Sequence, residues 1–114
     1  MKPKALILMS LLVAAPAVAQ QPQPDVALLA QAHDRCMVTH AVRLTHTAAT
    51  DADIYMQATQ ACLSLTERLR AAVSAELPAA QASEVLEALD TQAESKFIAL
   101  LARIRSDRAR RAAQ

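Results

Sequence analysis

The chain has 114 residues, enough for one small domain, and its 12 Lys and Arg nearly balance its 11 Asp and Glu. Near-neutrality removes the electrostatic support that bulk nucleic-acid binding needs. Gly, Asn and Trp are absent, and Ala, Leu, Gln, Glu and Arg dominate; without the residues that tolerate left-handed turns a hairpin-rich β fold is excluded, and an all-α fold is expected.

Residues 1–19 read as a signal peptide. Lys2 and Lys4 precede the uncharged apolar run from Ala5 to Ala15, and Ala17-Val18-Ala19 supplies a small-x-small cleavage site before Gln20. The run is about half the roughly 20 residues needed to span a bilayer, so no membrane span is expected. The mature chain would lose two lysines and carry a formal charge of −1. A periplasmic or secreted location follows. QQPQPD, residues 20–25, then reads as an extended leader, with Asp25 placed to cap the first helix.

The domain proper is predicted over 26–111 as a three-helix antiparallel bundle, with helices at about 26–47, 51–77 and 79–110. The first helix carries a stripe of Val26, Leu29, His33, Cys36, His40 and Leu44. Thr50-Asp51-Ala52-Asp53 is a variant capping box that should open the second. Its stripe is Tyr55, Ala58, Cys62, Leu65, Leu69 and Ala72. Pro78 interrupts the pattern and suits a helix start, and the third stripe is Ala82, Leu86, Leu89, Ala93, Phe97, Leu100 and Ile104.

Cys36 and Cys62 are the only cysteines. They lie equidistant from residue 49, inside the connection that the capping box already places, and residues equidistant from an antiparallel turn face each other. A disulfide between the first two helices is therefore predicted, as expected in an oxidising compartment. Extending the register to the third helix puts Leu29, Leu69 and Leu86 in one layer, His33, Leu65 and Leu89 in another, and His40, Ala58 and Phe97 in a third. Cys62 comes level with Ala93, whose small side chain leaves room for the disulfide.

HDRCMVTH, residues 33–40, gathers His33, Cys36, Met37 and His40 on one helix face. These are ligand types used by copper and zinc. The disulfide removes both sulfurs as strong ligands, so the expectation is no bound metal. Two half-buried histidines then flank a disulfide, with Asp90 beside His33 and Tyr55 near His40. A pH-sensitive core is a corollary, since histidine titrates near physiological pH. The alternative is a periplasmic copper or zinc binder using His33 and His40 with Met37 or reduced Cys36 and Cys62.

The C-terminal stretch holds Arg103, Arg105, Arg108, Arg110 and Arg111. Arg103 and Arg105 come level with Asp51 and Asp53, while Arg108, Arg110 and Arg111 should project as an unpaired basic tip suited to an acidic partner. Glu84, Glu87, Asp90 and Glu94 form a solvated face. A Gly-free chain cannot contain GxSxG, and so small and aromatic-poor a bundle should offer little concave apolar volume. No enzyme and no cofactor are expected. The expected function is non-enzymatic, through protein or cell-envelope contacts, as in a small chaperone, adaptor or accessory subunit. Val38, Val42 and Leu63 lie off the stripes and could serve a homodimer.

Overall fold

The computed structural model describes residues 25–114. The signal peptide predicted over residues 1–19 and residues 20–24 of the predicted leader lie outside the described residues. Four α-helices follow one another: α1 (Asp25–Leu44), α2 (Asp51–Ala61), α3 (Leu63–Glu76) and α4 (Ala79–Ala112), with no strand among the described residues. The layout is the expected antiparallel bundle of three rods, α2 and α3 together forming the second.

That second rod is broken at Cys62, whose φ of −102° and ψ of 11° leave the helical range. The ladder still spans the break: Cys62 N donates to the Ala58 carbonyl and Thr66 N to the Cys62 carbonyl. The Thr66 hydroxyl donates to the same Cys62 carbonyl at 3.2 Å. The interruption at Cys62 divides the predicted second helix in two, giving four helices where three were predicted.

Helix ends are finished without a single positive φ. At the α1 C-terminus the Thr45 and Thr47 hydroxyls donate to the carbonyls of Val42 and Leu44. Those are groups that a glycine-based cap would otherwise satisfy. Thr50 caps α2 as its sequence predicts, accepting from Asp53 N at 3.2 Å. Leu77 is extended ahead of Pro78, as the ring of a following proline requires. Pro78 precedes the first helical residue of α4 rather than occupying it.

The α1 N-terminus departs from expectation. Asp25 is the first helical residue, and the cap comes from far along the chain: Glu76 accepts from Asp25 N through Oε1 and from Val26 N through Oε2, both at 3.1 Å. The carboxylate that closes α3 thus satisfies two orphan donors of α1 and sits at the positive end of its dipole.

Among the described residues ten hydrophobic ones are buried, and none of the buried residues is polar. Nine of them form two clusters, and Cys62 belongs to neither. Ala41, Leu44, Ile54, Ala58, Phe97 and Leu101 join α1, α2 and α4 near the α1–α2 connection. Leu69, Val73 and Ala82 join α3 and α4 at the opposite end, with Val26, Leu29 and Leu86 packed around them. The predicted Leu29, Leu69 and Leu86 layer is therefore present. Ala41 replaces His40 in the Ala58 and Phe97 layer, and on the second rod Ile54 and Val73 are more deeply buried than Tyr55 and Ala72.

Candidate functional site

Cys36 and Cys62 form the disulfide, with Cα atoms 6.0 Å apart, and it crosses between the two clusters. Cys62 is buried and Cys36 half-buried. The two histidines of HDRCMVTH take different positions around it. His33 Nε2 lies 2.9 Å from Thr66 Oγ1. Since the single hydroxyl proton of Thr66 is donated to the Cys62 carbonyl, His33 Nε2 carries a proton and donates. His33 is thereby tied to the helix break through Thr66, and Asp90, its expected neighbour, pairs with Arg70 instead.

His40 stays beside the disulfide. One ligand atom each from Cys36, His40 and Cys62 lies within 4.8 Å of the others. His40 Nδ1 accepts from Arg43 Nη2 at 2.8 Å, because a guanidinium can only donate. Tyr55, expected near His40, instead stacks on Phe97 with ring centroids 5.4 Å apart. Met37 packs against the first core cluster. Of the four ligand candidates on α1, then, Cys36 and His40 come together with Cys62, whereas His33 is engaged by Thr66.

A groove of about 530 Å³ lies between α1, the α2–α3 rod and α4. Met37, Tyr55, Leu69, Leu89, Phe97 and Leu100 line it with apolar surface, and Ala93 lies among them. The sequence predicts little concave volume; the structure overturns this. Ala93, whose side chain is small, is among the residues that line the groove.

Charged and polar groups line the same groove: Asp34 on α1, Arg70 on α3, and Asp90, Lys96 and Arg103 on α4. Arg70 and Asp90 neutralise each other. Lys96 and Arg103 have no ion-pair partner among the described residues. Thr59 also lines the groove, and its hydroxyl oxygen is buried with no hydrogen-bond partner. Thr39, Thr66 and Thr91 each bond the carbonyl four residues back; Thr59 does not.

The arginine tip is largely engaged within the molecule, which corrects the expectation that it projects unpaired. Arg108 donates to the Thr45 carbonyl at 3.3 Å and to Thr45 Oγ1 at 2.8 Å, and it also contacts His46 Nε2. The α1–α2 connection offers acceptors because its carbonyls have left the helix ladder. Arg110 pairs with Asp107 on its own helix. Arg105 meets Asp51 as the register predicts, while Arg103 turns to the groove. Arg111 remains exposed and unpaired among the described residues.

Glu84, Glu87, Asp90 and Glu94 are exposed, as a solvated face requires. Val38, Val42 and Leu63 are exposed as well, joined by Leu28 and Met56. No helix among the described residues is long and apolar enough to cross a membrane. No protein-family model matches the chain, and neither a curated protein nor a solved structure shows significant similarity to it.

Proposed function

We propose that this protein is a non-enzymatic, exported helical adaptor that holds an apolar segment of a partner protein in the groove between α1, the α2–α3 rod and α4. The observation that carries this reading is the groove itself. Its volume of about 530 Å³ falls in the ~300–1,000 Å³ range of ligand-holding clefts. Its apolar floor would gain by covering, and exposed Val38 extends that floor to the lip.

Charge selects the occupant. Lys96 and Arg103 stand two turns apart on α4 with no ion-pair partner among the described residues, and with Asp34 counted they leave the lining net positive. A segment that fits carries carboxylates two turns apart beside its apolar side chains, in the helix-in-groove manner. The disulfide supports an oxidising compartment, and so supports export.

A neutral apolar dye, N-phenyl-1-naphthylamine, tests the floor. Its fluorescence should rise with the mature protein, and Ala93→Phe should abolish the rise while leaving the helical circular dichroism unchanged. Two synthetic amphipathic peptides, identical except for Glu or Lys beside the apolar face, then test the rim. The Glu peptide should displace the dye several-fold better at low salt, as each rim pair contributes about 0.2–1 kcal/mol. Lys96→Glu with Arg103→Glu should reverse the order. Equal displacement by both peptides, or a dye signal indifferent to Ala93→Phe, rejects the reading.

A further inference from the structure

We infer that reduction of the Cys36–Cys62 disulfide opens a metal site in which Cys36, His40 and Cys62 together hold a thiophilic d¹⁰ cation such as zinc. The three ligand atoms already lie within 4.8 Å of one another while the sulfurs are bonded. They come from two elements, with Cys36 and His40 one helical turn apart on α1 and Cys62 at the break between α2 and α3. A Cα separation of 6.0 Å lets two cysteines serve either a disulfide or a shared metal without moving the helices far.

The break adds a geometric reason. Cys62 departs from helical dihedrals while its N–H and carbonyl stay hydrogen-bonded to Ala58 and Thr66, so its backbone holds the sulfur in place when the disulfide opens. Two thiolates and an imidazole are the donor set that zinc and Cu(I) prefer. They leave a fourth position for water or a partner's side chain.

Opening the site requires a dithiol reductant. Cys36 is half-buried and Cys62 buried, so access directs a thiolate of the reductant to Cys36 Sγ. A mixed disulfide forms there and Cys62 leaves as a thiolate. The reductant's second thiolate attacks its own sulfur in that mixed bond, releasing Cys36 and closing the reductant's disulfide. Two electrons and two protons pass to the protein's sulfurs. Zinc binding then displaces the two thiol protons to solvent, giving a site with no net charge.

Arg43 opposes the cation. It occupies the lone pair of His40 Nδ1 and brings a positive charge to the ligand. Arg43 is exposed, so it can swing into solvent at little cost, and it acts as a gate on the imidazole. The prediction separates this site from the ligand set on α1 alone: removing Arg43 should strengthen binding, and removing His33, which Thr66 already holds, should leave it unchanged.

The test is anaerobic titration of dithiol-reduced, desalted protein with zinc against a chromophoric chelator. One zinc per chain is expected for the reduced protein and none for the oxidised form. His40→Ala should weaken binding ten- to a hundredfold, Arg43→Ala should tighten it several-fold, and His33→Ala should bind like the unaltered chain. Should reduction unfold the helices, zinc-dependent recovery of ellipticity at 222 nm becomes the readout, and His40→Ala should lack it. Binding of equal strength by His40→Ala and the unaltered reduced chain overturns the inference, as does zinc uptake by a Cys36→Ser/Cys62→Ser protein. The dye and peptide measurements use the oxidised protein, so the groove and the metal site succeed or fail separately.

Discussion

Thr59 Oγ1, a buried atom of a half-buried residue, is the one such side-chain polar atom without a hydrogen-bond partner among the described residues. A hydroxyl closed off from water without a partner costs about 1–3 kcal/mol. Valine has the same shape and the same β-branching, so Thr59→Val removes the cost and leaves packing unchanged. The expected result is a gain of about 1 kcal/mol, read as a higher urea midpoint at constant slope. A loss of similar size would mean that the hydroxyl has a partner in solution. The oxygen belongs to a groove-lining residue, so the same variant should be followed in the dye assay. Charge at this scale is local and mostly exposed. The Arg105–Asp51 and Arg110–Asp107 pairs are each close to half-solvated or more at the arginine, where ion pairs contribute little.

At the scale of elements, the parts legible in the sequence were those set by local period and by counting. Apolar spacing of three and four marked each rod, Thr50 marked a helix start, and equidistance from residue 49 paired Cys36 with Cys62. Three features escaped for physical reasons. The Glu76 cap joins residues about fifty positions apart, and no local pattern records which distant carboxylate will meet a helix end. The groove depends on the spacing between rods, which periodicity along one rod does not contain. The break at Cys62 was hidden because the pattern of apolar residues continues through it; there the Thr66 hydroxyl adds a second bond to the Cys62 carbonyl. That bond is also what fixes His33, so Thr66→Val should act at both places. The Cys62 carbonyl should keep only its ladder bond, while His33 loses its acceptor. A net destabilisation of about 1 kcal/mol is expected, together with a shifted His33 ring resonance in the NMR spectrum. An unmoved His33 signal would show that Thr66 does not hold the ring.

For the whole molecule the decisive fact is that the core is divided. One cluster closes the α1–α2 end and the other the α3–α4 end, and each consists of a few residues, several of them alanine. Small cores bury proportionally little surface, and domains of this size commonly need a crosslink. The disulfide spans 26 positions of chain and joins α1 to the second rod between the two clusters. By the chain-entropy argument it should contribute about 3–4 kcal/mol, a large share of what a domain of this length retains. Cys36→Ala/Cys62→Ala should therefore lower stability by about that amount in urea, and amide exchange should accelerate in both clusters, because neither is large enough to stand alone. Faster exchange confined to residues near the cysteines would instead mean that the two ends are already independent. The same dependence argues for an oxidising destination. Expressed for export in a bacterium, the protein should be recovered starting at Gln20 with a mass two hydrogens below that of the reduced chain. Recovery of the full 114 residues with free thiols would remove both the export argument and the assumption that the crosslinked fold is the working one.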